Sequence, residues 1–286
     1  MSETLYRKYR PEKFSEVIGQ QNIVQTLQNS IKNDRLGHAY LFTGPRGTGK
    51  TTLARLFAKT INCQKIKESE PCLLCDACKN ISENKSLDII EIDAASHTGV
   101  DNIRELKETV KLPPSLTKYK IYIIDEVHML SPGAFNALLK TLEEPPAHAI
   151  FILATTEIHK VPDTILSRCQ RFDFARLSLE NIVRKLSSIS KKEKIKIDTS
   201  SLETIAIAAE GGMRDAESLL AQIMALEDKN ITQKDVEGIL GTAEHKSIED
   251  MAGFILGKNV SSALSLINEI SENGYNLEVF SKSLQN

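Results

Sequence analysis

With 286 residues, 41% hydrophobic and 26% charged, the chain has the makeup of an ordinary folded protein of about two domains. Its 36 basic and 38 acidic residues leave a net charge of −2, which excludes a global field that attracts nucleic acid; any DNA contact must come from a local basic surface. No apolar run approaches the roughly 18 residues of a membrane span. The polar, charged start from Met1 to Pro11 lacks the apolar core of a secretory signal, so the expectation is a cytoplasmic protein with no membrane anchor.

In chain order, residues 1–38 open with the lead-in Leu5-Tyr6-Arg7-Lys8-Tyr9-Arg10-Pro11 and turn at Gly19. A helix follows from Gln21 to about Asn33, where Ile23, Leu27 and Ile31 recur at helical spacing. The Tyr/Arg-rich start reads equally as a solvated arm or as a segment folded over an adenine ring. A strand over Ala39–Phe42 then turns through Gly44-Pro45-Arg46-Gly47-Thr48-Gly49-Lys50-Thr51 into an amphipathic helix from Thr52 to Ile61. These positions fit G-x-x-x-x-G-K-[ST] in the strand-then-helix setting of a phosphate-binding loop. Glycines let the backbone wrap a polyphosphate with N–H groups inward, ahead of the positive end of a helix. Lys50 is expected on the β- and γ-phosphates and the Thr51 hydroxyl on Mg²⁺.

Cys63, Cys72, Cys75 and Cys78 follow, spaced C-x8-C-x2-C-x2-C, and Cys169 stands apart. Two C-x2-C steps and a fourth thiolate suit the closed tetrahedron of a structural Zn²⁺; a redox pair or reduced buried thiols are the competing readings. The polar insert Gln64 to Pro71 has little with which to form its own core, so a metal would supply that stability. Leu87–Ile92 reads as a second strand, followed by a polar loop and a helix from about Val100 to Val110, ended by Pro113-Pro114.

The run Lys120–Ile124 leads into Asp125-Glu126. Paired acids at the end of a buried strand put Asp125 where it can hold Mg²⁺ and Glu126 where it can polarise an attacking water. His128 reads as a local hydrogen-bonding residue. A helix from Ser131 to Leu142 stops at Pro145-Pro146, and a strand over Ala149–Ala154 ends in Thr155-Thr156, either β-branched strand residues or hydroxyls that reach a γ-phosphate. Alternating strands and helices across 35–175 imply a doubly wound α/β fold on a parallel sheet, with its loops at the carboxyl edge. From Ser178 the pattern becomes helical without strand candidates: Leu179–Ser190, Ser201–Ala209, Met213–Leu226 and Thr232–Leu240, with a solvated charge run over Lys191–Lys196. A last helical stretch, from about Lys246 to Asn286, carries no punctuation suggesting a finished domain.

These residues together resemble one family, the γ/τ subunits of the bacterial DNA polymerase III clamp loader within the AAA+ ATPases. The resemblance is carried by Tyr9-Arg10-Pro11, Val17–Gln20, the phosphate loop, the four cysteines, Glu91–Ser96, Ile124–Leu130, Phe135–Pro146, Leu153–Thr156, Ile165–Cys169 and Gly212–Ala216. It implies an AAA+ P-loop domain over residues 1–177 with a zinc module at 63–78, a helical lid over 178–241, and the start of a helical collar over 242–286. It also implies that Arg168 is an arginine finger acting on ATP bound by a neighbouring subunit. Thr156, or else Thr155, becomes the first phosphate sensor, and Arg214 the second. The implied cofactors are ATP, Mg²⁺ and Zn²⁺. The implied partners are other clamp-loader subunits in a hetero-oligomeric ring with self-association, a sliding clamp and primed DNA, with no polymerase site in this chain. The rival readings are another AAA+ DNA remodeller, such as a branch-migration helicase, and a structural subunit that binds nucleotide without hydrolysing it.

Overall fold

The computed structural model describes residues 4–83, 85–96, 106–226, 230–240 and 245–272, with positions 275, 277, 280, 281 and 284 beyond them. The chain separates into two units: Arg10–Arg176, and Met1–Tyr9 together with Leu177–Asn286. Helix α1 (Leu5–Lys8) therefore goes with the second unit, although the lead-in was expected with the nucleotide-binding part.

The first unit is a five-stranded sheet of β1 (Ala39–Thr43), β2 (Ile89–Asp93), β3 (Lys120–Asp125), β4 (Ala149–Thr155) and β5 (Gln170–Asp173), in the order β2-β3-β4-β1-β5. Every pairing is parallel. Its helices are α2 (Gln21–Lys32), α3 (Lys50–Ile61), α4 (Asp76–Ser82), α5 (Pro132–Glu143) and α6 (Asp163–Leu166). Apolar runs such as Ala-Tyr-Leu-Phe and Ile-Tyr-Ile-Ile suit strands covered on both faces, and alternation sends successive side chains to opposite layers. Tyr40, Phe42, Ile121, Ile123, Ile150 and Ile152 pack with Leu27 of α2 and with Leu53, Leu56 and Phe57 of α3. Leu41, Tyr122, Ile124, Phe151 and Leu153 pack with Leu138 and Leu142 of α5 on the other face. The doubly wound sheet expected from the alternation of elements is the fold that forms.

Register fixes where the loops end up. Thr43 pairs with Thr155, and Ile124 pairs with Leu153, so the carboxyl ends of β1, β4 and β3 lie within about a residue of one another. β2 starts at Ile89, two residues later than the apolar run predicts. Asp88 is 2% exposed and accepts from the N–H groups of Ser115, Leu116 and Thr117 and from the Thr117 hydroxyl at 2.6–3.0 Å, leaving Leu87 exposed. Burial acts to raise the Asp88 carboxyl, and these donors outweigh it, holding the group below its ordinary range. Of the helix expected from about Val100 to Val110, residues 106–110 are helical; its first part lies outside the described residues.

The second unit packs α7 (Leu179–Lys192), α8 (Thr199–Ala208), α9 (Met213–Leu226) and α10 (Gln233–Leu240) round Leu186, Ile205, Leu220 and Val236. Ser178 and Asp198 cap α7 and α8 by accepting from the N–H groups of Asn181 and Ser201. One expectation fails here: Lys196–Ile197 (β6) and Asn230–Ile231 (β7) form a two-stranded parallel pair where no strand was predicted. Strands of two residues are too short for a period of two to emerge from a charged run. The lead-in is not a free arm. Leu5 is buried in this core, the Tyr9 hydroxyl donates to Glu193 at 2.6 Å, and Lys185 donates to the Tyr9 carbonyl at 3.0 Å.

The final stretch is also punctuated, contrary to the sequence reading. Helices α11 (His245–Leu256) and α12 (Val260–Glu272) are separated by a turn through Gly257-Lys258-Asn259, and Met251, Ile270 and Phe280 form their own small cluster. No helix among the described residues is long and apolar enough to cross a membrane.

Candidate nucleotide site and cysteine cluster

The loop from β1 to α3 is shaped by three glycines with positive φ, at 142° for Gly44, 76° for Gly47 and 99° for Gly49. A Cβ on Gly44 would stand 2.3 Å from the Phe174 carbonyl oxygen, so no side chain fits there. The Gly44 N–H donates to the Thr155 carbonyl at 3.2 Å, tying the loop to the end of β4. Lys50, the first residue of α3, is 7% exposed, and its ammonium donates to the carbonyls of Gly44 and Pro45 at 2.7 and 2.8 Å. Burial lowers its pKa, while Glu126 and Asp125 act to raise it. The Thr48 hydroxyl donates to the Pro45 carbonyl at 2.8 Å, and Arg46 lies exposed at the tip.

Thr51 connects this loop to the acidic strand, its hydroxyl donating to Asp125 Oδ2 at 2.6 Å. Next to it, Glu126 turns through a left-handed conformation at φ 47°. Its Oε2 accepts from the Thr156 hydroxyl at 2.9 Å and from the Thr156 N–H at 3.3 Å. The two threonines, equivalent by residue type, are thereby distinguished. Thr156 faces the acid, whereas Thr155 is fully buried, with its hydroxyl 3.0 Å from His128 Nδ1. Lys50, Thr51, Asp125, Glu126 and Thr156 thus share one edge of the sheet.

Arg168 does not join them. β5 pairs with β1 from Tyr40↔Gln170, so Arg168, in the turn that enters β5, lies toward the amino edge of the sheet, away from Gly44. There its guanidinium donates to Glu143 Oε1 at 2.7 Å and to the Thr164 carbonyl at 2.7 Å. Arg214 belongs to the second unit, in the first turn of α9, with its guanidinium 5.0 Å from the centroid of the Tyr6 ring.

The four clustered cysteines lie with their sulfurs within 4.8 Å of one another. A tetrahedral ion bound at 2.3 Å by four thiolates sets them about 3.8 Å apart, so the set fits such an ion. N–H groups of Lys65 and Cys72 point at Cys63 Sγ (3.4 and 3.2 Å), and that of Cys75 at Cys72 Sγ (3.4 Å). The N–H groups of Leu74 and Cys75 bring the Cys72 thiol down to about 6, and burial pushes Cys63 and Cys78 up. Cys169 is not part of the set, and burial pushes its thiol up to about 12.

Sequence reasoning missed a residue that helps hold the insert down. Glu70 accepts from the N–H groups of Phe14 and Ser15 at 2.7 and 2.8 Å, so the polar insert is tied to the turn before α2. It missed Asn62 as well, whose amide exchanges two hydrogen bonds at 2.9 Å with the backbone of Tyr119. Neither has a local pattern by which it could have been found.

Comparison with known proteins places this geometry in a lineage. A family model described as "DNA polymerase III, delta subunit" matches residues 19–178, and one described as "DNA polymerase III clamp loader subunit, ATPase lid domain" matches residues 181–228. The chain is 52% identical to "DNA polymerase III subunit tau" of Bacillus subtilis (strain 168), covering 95% of this chain and 48% of that protein. It is 44% identical to "DNA polymerase III subunit gamma" of Buchnera aphidicola subsp. Acyrthosiphon pisum, covering 96% of this chain and 76% of the relative. The chain spans about half the length of the tau relatives it matches. Among solved structures, the Thermotoga maritima RuvB Holliday junction branch migration motor superposes with a TM-score of 0.61 at 17% identity, over 86% of this chain and 79% of that one; at that identity the likeness is one of fold. With a gamma relative covered over three quarters of its length, the chain belongs to the γ/τ subunit family of bacterial DNA polymerase III, built on the AAA+ ATPase fold.

Proposed function

We propose that this chain is an ATP-hydrolysing clamp-loader subunit, which uses ATP to close a ring of subunits round a sliding clamp and releases the clamp onto primed DNA on hydrolysis. The observation that carries the reading is the 2.6 Å contact between Thr51 and Asp125, which joins the phosphate loop to the acidic strand within this family's sequence. The loop Gly44, Pro45, Arg46, Gly47, Thr48, Gly49 cradles the triphosphate, and Lys50 supplies positive charge to its β- and γ-oxygens. A threonine hydroxyl beside a carboxylate is a hard oxygen set, so Thr51 and Asp125 would hold Mg²⁺, which neutralises charge on the phosphate oxygens. Glu126 orients the attacking water and takes its proton as the bond from the γ-phosphorus to the bridging oxygen breaks and ADP leaves. Thr156 keeps that carboxylate in place while reading the γ-phosphate. Cys63, Cys72, Cys75 and Cys78 would hold Zn²⁺ as a structural ion with no open position.

Catalysis on this account needs an oligomer. Arg168 stands on the edge of the sheet away from its own loop, which supports its acting on ATP held by a neighbour, while Arg214 serves as the second sensor from the helical lid over 178–241. Residues 242–286 begin the collar through which subunits associate with themselves and with other clamp-loader subunits. The γ-phosphate then favours the closed ring through its contacts, and its loss removes that bias. DNA is held through its phosphates and so with marked salt dependence, in the cytoplasm. Turnover of ATP by Glu126→Gln against wild type in the reconstituted loader tests the reading. A loss of at least a hundred-fold, on the order seen when a reacting-group contact is removed, is expected; equal rates would leave a nucleotide-binding structural subunit.

A further inference from the structure

Arg168 lies on the surface, yet its guanidinium is held from two elements. Nη1 donates to the Thr164 carbonyl at 2.7 Å and to the Ser167 hydroxyl oxygen at 3.2 Å, and that hydroxyl donates in turn to the same carbonyl at 3.2 Å. Nη2 donates to Glu143 Oε1 at 2.7 Å, across 25 residues of chain. Both ends of this bridge are moored in one core. Glu143 ends α5, whose Leu138 and Leu142 are buried, and Ile165 of α6 and Cys169, which flank Arg168, pack in the same cluster. The spacing between carboxylate and arginine is therefore set by the fold and not by the pair itself.

A half-exposed ion pair of this kind adds little to stability, so its consequence lies in where it leaves the guanidinium. With 34% of its side chain exposed, Arg168 remains open to another chain. Among the described residues, the contacts above take at most three of its five N–H donors. Nε–H and one Nη2 hydrogen are left, enough for a two-point contact with phosphate oxygens. An unheld arginine would give up the freedom of its long stem at each engagement, whereas one already fixed has less to lose. We infer that Glu143 is a positioning residue for Arg168: with the Thr164 carbonyl and the Ser167 hydroxyl, its carboxylate sets the guanidinium in advance for the γ-phosphate of ATP bound by a neighbouring subunit. This rests on the reading of Arg168 as acting in trans. A latch that withholds the arginine would have the opposite sign, because cutting it would speed turnover.

The test is made in the complete clamp-loader assembly, with kcat and KM for ATP, and in the isolated chain, with the Kd of a fluorescent ATP analogue and the Tm of each variant. Glu143→Ala is expected to lower kcat in the assembly about five-fold, with KM and Kd within about two-fold of wild type and Tm within about 3 °C. Glu143→Gln, whose amide oxygen can still accept from Nη2, should recover part of the loss. In an Arg168→Ala background, Glu143→Ala should change the residual rate by less than about two-fold, because both changes act on one group. An unaltered kcat in Glu143→Ala overturns the inference, and a kcat above wild type in either variant replaces it with the latch. A loss that persists in the Arg168→Ala background also overturns it, as does one matched by weaker nucleotide binding or by a large fall in Tm, since Glu143 would then support the fold and not the arginine. If Arg168→Ala itself turns over ATP like wild type, the reading of Arg168 and this inference fall together, whereas the other adverse results remove the inference alone.

Discussion

Thr51 and Asp125 are 74 residues apart in the chain and meet at 2.6 Å, whereas the four cysteines meet within positions 63–78. The first site is assembled by register. Parallel strands buried on both faces bring the ends of β1, β3 and β4 level, and the sheet sets Lys50, Thr51, Asp125, Glu126 and Thr156 side by side. The second site is local. Apart from Ala77, Cys78 and Ile81 on α4 and the Glu70 clamp, the insert has little apolar material, so a bound ion would do for it what the core does for the sheet. A site on a rigid scaffold should tolerate losing its ligand; one closed by its ligand should not.

The largest effect should therefore come from metal removal. A thiolate site of this kind contributes roughly 10 kcal/mol or more of apparent folding free energy, so a strong chelator should expose the 63–78 segment to limited proteolysis. Affinity for ATP should stay within about three-fold, since the phosphate loop is held by the sheet; loss of both together would end the contrast between the sites. Next in size is Arg168→Ala, which should lower turnover in the assembled ring by about 10³-fold while leaving the affinity of its own chain for ATP unchanged. A fall in that affinity would mean the arginine serves its own site.

Lys50→Ala comes third, with ATP affinity down about a hundred-fold, as expected when a charge-assisted contact worth about 1.5–3 kcal/mol is removed. An unchanged Tm in the absence of nucleotide would sharpen the comparison by showing that the edge is organised without this side chain.

Much of the first site was legible in the sequence because its parts are local words: a glycine-rich octet after a strand, and two acids after a β-branched run. What brings those words together is register, which no short stretch records. That is why Thr155 and Thr156 stayed indistinguishable until β4 showed which hydroxyl faces Glu126. The cysteine spacing was legible for the same local reason, but Glu70, which fastens the insert to Phe14 and Ser15, was not. The two-residue strands β6 and β7 and the turn at Gly257 were missed because each is shorter than any periodic signal. Arg168 had no signal beyond a family resemblance, since an arginine paired with Glu143 on a sheet edge looks like any surface residue.

The smallest effect belongs to Asp88, which organises the loop before β3 from outside either site. Its folded pKa is depressed, so its contribution is present above the unfolded value of about 3.9 and is lost as pH falls through the lower folded value. Asp88→Asn should cost about 1–3 kcal/mol at pH 7 by leaving backbone donors poorly matched. It should also flatten the acid limb of the stability curve; denaturation curves that stay parallel to wild type below pH 5 would remove the carboxylate from the account.

The most direct test of a register-built site is a structure of the chain bound to Mg²⁺ and a non-hydrolysable ATP analogue. The account predicts the β- and γ-phosphates inside the Gly44–Thr51 loop, with Lys50 Nζ on their oxygens and the ion between Thr51 and Asp125. A triphosphate bound elsewhere, or one bound in the loop with Asp125 and Glu126 turned away from it, would contradict that claim.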